Sequence, residues 1–145
     1  VSVSPDVHEI LSATAERLER TWNEGGSGDF RIRDSRFTAS APLCLVDALG
    51  AQTWEYIICS REPMDGLENR LVAEITGEVI PALSSTILKH PDLTPEQRAW
   101  LQHPENDDVT VFDDRAFGII TYYNDYYCKS GERAADIVRR AAKEL

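Results

Sequence analysis

The residues able to do chemistry fall mostly in one stretch, from Glu105 to Cys128. Glu105, Asp107, Asp108, Asp113 and Asp114 crowd its first half, and Tyr122, Tyr123, Tyr126 and Tyr127 crowd its second. Clustered carboxylates offer an oxygen cage for a hard cation such as Ca²⁺ or Mg²⁺, but the EF-hand spacing and its glycine are missing. The same acids also serve as turn formers at Asp113-Asp114 or as a patch that meets a partner. Tyrosine beside carboxylate suits a protein interface, because the ring buries area at little entropic cost and keeps a polar tip.

Other reactive residues are dispersed. His8, His90 and His103 have no histidine at i+3 or i+4, and two of them precede proline at expected helix ends. Cys44, Cys59 and Cys128 form no C-x-x-C pair and are expected to be buried, reduced thiols. A Cys–His pair with Cys59 or Cys128 as nucleophile would need convergence in space. Gly25-Gly26-Ser27-Gly28 follows a helix rather than a strand, so it reads as a flexible loop and not a phosphate cradle. No Walker loop, dinucleotide fingerprint or H-E-x-x-H occurs. Catalytic residues, metal ligands and cofactors are therefore all expected to be none.

At 145 residues the chain fits a single domain, residues 1–145. A net charge of −10, from 25 acids against 15 bases, disfavours nucleic acid and anionic membrane. It favours a protein partner with a basic surface, a second copy of the chain being allowed. No run approaches the ~20 apolar residues of a membrane span, and the start lacks the pattern of a secretion signal. A cytoplasmic location is expected, and the preference for Arg over Lys suggests a GC-rich, bacterial genome.

Positioning these residues requires a scaffold. Ser4-Pro5-Asp6 starts an amphipathic helix to about Asn23, with Val7, Ile10, Leu11, Ala15 and Leu18 on one face. Alternation or apolar runs predict strands at Phe30–Arg33, continued at Arg36–Ser40, and at Pro42–Leu49, Thr53–Ser60, Asp108–Phe112 and Ala116–Tyr123. Gly50-Ala51 reads as the turn of a hairpin. Leu67, Leu71, Ile75, Val79, Leu83 and Ile87 mark a helix that Pro81 should kink or divide. Thr94 and Gln97 have capping-box spacing for a short helix, and Ser130 caps a last one. The expected class is α+β, an antiparallel sheet of about five strands flanked by helices in the order α-β-β-β-α-α-β-β-α.

That order resembles the type III secretion chaperones and their relatives, through the opening helix, the hairpin Pro42–Ser60 and the ending Val109–Leu145. The resemblance implies a small acidic protein, usually dimeric, that holds a segment of a partner without catalysis. The expected function is accordingly an acidic protein-binding domain, either a chaperone or adaptor or an immunity protein that neutralises a toxin. Asp108, Asp113, Asp114 and Asp125 would steer the partner, and Tyr122 and Tyr126 would anchor it. The alternative is a small enzyme or small-molecule-binding domain with a pocket between the sheet and the helix 67–89.

Overall fold

The fold is all-helical. A computed structural model describes residues 3–25, 30–33, 41–103 and 114–145. Among them the order is α1 (Pro5–Thr21), α2 (Leu45–Cys59), α3 (Met64–Glu74), α4 (Ile80–Lys89), α5 (Pro95–Gln102), α6 (Arg115–Tyr122) and α7 (Gly131–Lys143). A π-helical turn, Ile75–Val79, joins α3 to α4, and another, Tyr123–Cys128, extends α6. The described residues contain no strand, only one isolated parallel bridge between Trp22 and Leu43.

The α+β expectation is therefore corrected, and so is the element order that carried the resemblance to secretion chaperones. Pro42–Leu49 and Thr53–Ser60 are not a hairpin but mainly the single helix α2. Its first seven residues, Leu45 to Ala51, are all buried. A helix covered on every side has no polar face, and its short apolar run is then indistinguishable from a buried strand by periodicity. Gly50 is not a turn residue. It lies where a Cβ would come within 1.8 Å of the Arg31 carbonyl oxygen, so its role is to admit the backbone of 30–33. Phe30–Arg33 forms no strand, and Arg36–Ser40 and Asp108–Phe112 lie outside the described residues. Ala116–Tyr123 is the body of α6 and not a strand.

The helical expectations rested on local signals that the structure uses. Pro5 opens α1, whose stripe Val7, Ile10, Leu11, Ala15 and Leu18 is buried. Thr94 accepts from the Gln97 amide (3.1 Å) and Gln97 accepts from the Thr94 amide (2.9 Å), closing the capping box of α5. Ser130 accepts from the Arg133 amide at 3.2 Å and caps α7.

The run from α3 through α4 shows how proline and a four-residue repeat are reconciled. In an α-helix each four-residue step overshoots a full turn by about 40°, so five steps from Leu67 to Ile87 drift by about 200°. A π turn absorbs one extra residue and takes back roughly 100° of that drift. All six apolar residues of the repeat remain buried as a result. The π turn also precedes Pro81, which offers no amide to the carbonyl of Gly77; the Ile80 amide bonds back to Ile75 instead. The chain is thus divided at Pro81 without leaving the helix. By length (26 residues) and mean hydropathy (1.4) this run could cross a bilayer, yet its apolar stripe faces the protein core.

The most extensive packing is α7 along α1, with α2 on α1 and with α4 between α6 and α7. At the α1–α7 crossing Gly131 lets backbones touch: a Cβ there would lie 2.0 Å from the Leu18 carbonyl oxygen.

Candidate functional site

The tyrosines form a surface cluster around a residue that sequence reading left out, Trp100. The capping box sets the start of α5. Arg98 then ties it to the end of α4, donating from Nε to the Leu88 carbonyl and from Nη2 to the His90 carbonyl, both at 2.8 Å. This seats the Trp100 indole among three phenol rings. Its centroid is 5.6 Å from Tyr122, 5.2 Å from Tyr126 and 5.8 Å from Tyr127, the last two edge to face. Such geometry suits the ring quadrupoles. The π turn after Tyr122 brings both Tyr126 and Tyr127 to the same indole. Tyr122 is buried, Trp100 and Tyr127 are half-buried, and Tyr126 is 45% exposed. Burial pushes the Tyr122 and Tyr127 phenols up from their ordinary range. The i, i+4 spacing of Trp100's neighbours was visible in the sequence only on the assumption of a helix.

The acids are placed differently from the tyrosines. Asp114 is the N-cap of α6, accepting from the amides of Ala116 (2.9 Å) and Phe117 (3.2 Å). Asp125 accepts from the Gly25 amide at 2.9 Å and from Asn124 Nδ2 at 3.2 Å. Asp108 and Asp113 lie outside the described residues. The structure thus brings Tyr122 and Tyr126 together and gives Asp114 and Asp125 backbone partners.

Behind the cluster, buried Asn124 anchors the π turn. Its Oδ1 accepts from the Trp22 indole N–H (2.7 Å) and the Leu45 amide (3.1 Å), and its Nδ2 donates to the Asn23 carbonyl (3.3 Å). One side chain therefore joins the end of α1, the start of α2 and the π turn.

Two of the three thiols are buried and suppressed as nucleophiles. Burial, then the nearby Asp47 carboxylate, pushes the Cys44 thiol up to about 12. Burial also raises the Cys128 thiol, whose Sγ donates to the Ser130 carbonyl. Such thiols are inert. Cys59 is exposed, contrary to expectation, and has no hydrogen bond to a base among the described residues. His90 is buried with both ring nitrogens engaged: Nδ1 accepts from the Asp92 amide at 3.2 Å, which assigns the proton to Nε2 facing Asp136 Oδ2 at 3.2 Å. No grouping of three His, Cys, Asp or Glu side chains suited to a metal occurs among the described residues.

A separate polar network pins α1 to α2 and α3. Tyr56 donates to Asp6 at 2.6 Å, Arg70 donates to Asp6 and to Glu74 (3.2 Å), and Glu74 accepts from the Ser4 amide at 3.0 Å. The bonds from Tyr56 and then Arg70 hold the Asp6 carboxyl below its ordinary value. A depressed folded value contributes stability above the unfolded value, about pH 3.9, which is lost as pH falls through the folded one. Asp6→Asn is expected to lower stability at pH 7, and its difference from the parent should shrink as the pH is taken well below the unfolded value. Urea unfolding at pH 7 and in that acid range checks this; a constant difference would assign the network no role in acid stability.

Comparison with family models, with curated proteins and with solved structures finds no match for this chain.

Proposed function

We propose that this protein is an acidic, non-enzymatic binding module that takes a partner protein on the aromatic face formed by Trp100, Tyr126 and Tyr127. The observation that carries this reading is Tyr126: a large ring 45% exposed, yet held edge-on to an indole 5.2 Å away. An aromatic ring already ordered in the free protein loses little on binding, which is the property of an interface anchor. Tyr122 backs the cluster from within. The net charge of −10 favours a partner with a basic surface. Asp108 and Asp113 belong to the proposal as steering acids; Asp114 and Asp125 would contribute field while keeping their backbone bonds. The module acts in the cytoplasm as a chaperone or adaptor, or as an immunity protein.

Capture of partners from the native host by the parent protein and by Tyr126→Ala, side by side, tests the reading. Tyr126 is half-exposed, so the variant should fold and melt as the parent does. A partner retained by the parent and bound roughly 100-fold more weakly by the variant is expected of an interface anchor. A toxin domain as that partner identifies an immunity role, and a secreted effector identifies a chaperone. Equal retention by both proteins, or no stoichiometric partner for either, would remove the aromatic face as the site.

The alternative, a small enzyme or small-molecule-binding domain, loses its expected pocket because the described residues contain no sheet beside helix 67–89. That helix nevertheless borders a groove of a different kind.

A further inference from the structure

The end of α4 and the last turns of α7 enclose a polar groove of about 570 Å³, within the range of small-molecule sites. Four bases line it, Lys89, Arg139, Arg140 and Lys143, against two acids, Asp136 and Glu144. This is a local excess of positive charge in a chain whose net charge is −10. The groove also holds two of the three lysines in the sequence, Lys89 and Lys143.

Two of the bases are committed. Arg139 pairs with Glu19, and Arg140 donates from Nε to Asp136 Oδ2 at 2.7 Å. Asp136 faces the buried His90 ring at the same oxygen. Burial pushes the Asp136 carboxyl up, but the bonds from His90 and Arg140 outweigh it and keep the group low. Asp136 is thus a neutralised strut between the two helices. Lys89 and Lys143 are exposed and have no ion-pair partner among the described residues.

Cations at a helix C-terminus ordinarily offset the helix dipole. At α4 that task is already done by Arg98, which donates to the Leu88 and His90 carbonyls. Lys89 is therefore not required there.

A second observation concerns Thr86, on the groove wall. Thr14, Thr21, Thr53 and Thr76 each donate their hydroxyl to the carbonyl four residues earlier, at 2.7–3.0 Å. Thr86 does not: it is 6% exposed, and its Oγ1 is closed to solvent with no hydrogen-bond partner among the described residues. Leaving a buried hydroxyl unpaired is costly, and the helix offers this one the same bond its counterparts take.

We propose that this groove is a binding site for a compact anion carrying two or more negative charges, of the phosphate-ester or pyrophosphate class. Lys89 and Lys143 supply the two uncommitted charges, Arg140 the outer face of a guanidinium fixed by Asp136, and Thr86 a hydroxyl that turns to the ligand. The site is independent of the aromatic face and of the partner proposed above.

The test is titration of the isotope-labelled full chain with inorganic pyrophosphate at low ionic strength, followed by amide chemical shifts. Saturable shifts confined to the end of α4 and the last turns of α7 are expected. The double variant Lys89→Gln, Lys143→Gln should bind at least about tenfold more weakly while melting as the parent does. No saturable shift, or undiminished binding by the double variant, would overturn the site. Lysines that serve only the helix ends would show the opposite pattern, a lowered melting temperature and no binding to lose, and that also overturns it. Thr86→Val removes the unpaired hydroxyl at constant shape, so it should raise the melting temperature and weaken pyrophosphate binding. A raised melting temperature with unchanged affinity would strike Thr86 from the site.

Discussion

Asn124→Ala is expected to destabilise the protein by about 3–5 kcal/mol, the largest effect of any single side-chain truncation considered. The substitution removes one acceptor shared by the Trp22 indole and the Leu45 amide, and one donor to the Asn23 carbonyl. Asn124 is 1% exposed, so water does not replace those bonds without opening the core. Each buried group left unpaired costs about 1–3 kcal/mol. The three partners belong to different segments, so the loss also loosens the joint between α1, α2 and the π turn. Asn124→Asp provides a control. It keeps the acceptor for Trp22 and Leu45 but sets a second carboxylate beside Asp125, which accepts from Asn124 Nδ2 in the parent. Its loss of stability should be large at pH 7 and smaller at pH 4, where a carboxylate in this repulsive setting takes up a proton. Urea midpoints for the three proteins at both pH values decide the matter. A loss under about 1 kcal/mol for Asn124→Ala would show that the network is dispensable.

Gly131→Ala ranks second, with an expected cost of about 3 kcal/mol and a fall in melting temperature of roughly 10 °C. The added methyl would lie 2.0 Å from the Leu18 carbonyl oxygen and 2.8 Å from Trp22 Cβ. Two rigid helices meet there, and neither can yield alone because α1 and α7 share the most extensive contact in the fold. The comparison with Gly50→Ala is instructive. There the nominal approach is closer, 1.8 Å to the Arg31 carbonyl oxygen, but the obstructing backbone belongs to residues 30–33, which form no helix. A short irregular segment shifts more cheaply than a core helix, so Gly50→Ala should cost less than Gly131→Ala despite the shorter distance. The reverse order in thermal melts would mean that the 30–33 segment is as firmly held as α1.

Both sites bear on the proposed interface. Asn124 fixes the π turn that presents Tyr126 and Tyr127 to Trp100, and Gly131 lets α7 follow immediately after it. A Gly131 variant should weaken partner binding only through stability and an Asn124 variant also by releasing the turn that holds the tyrosines, whereas Tyr126→Ala should do so with stability unchanged.

Capping residues announced α5 and α7 correctly, because a cap acts within about four residues and needs nothing from the rest of the chain; at α1 the signal was Pro5, since the Ser4 side chain makes no capping bond and goes to Glu74 instead. The stripe from Leu67 to Ile87 was legible for a related reason: its burial on one face leaves a repeat. The errors share a cause as well. Leu45–Ala51 is enclosed on all sides, so no polar face betrays its period. Gly50 marks a close approach by a segment some twenty residues away, and glycine looks the same in that role as in a turn. Ala116–Tyr123 alternates well enough to read as a strand until Trp100 is placed against Tyr122.

The candidate surface divides along the same line. That tyrosines crowd the chain around residue 126 is read from the sequence alone. That Trp100 is its partner, that Asp114 and Asp125 are bound to backbone amides, and that Lys89 and Lys143 share one groove are facts of tertiary packing. Local signals along the chain set the starts of α1, α5 and α7, the acidic charge and the residue types available for binding, since those depend on near neighbours or on none. Only the tertiary structure decided the all-helical class and which side chains meet, because burial and long-range hydrogen bonding are properties of segments brought together from across the whole chain.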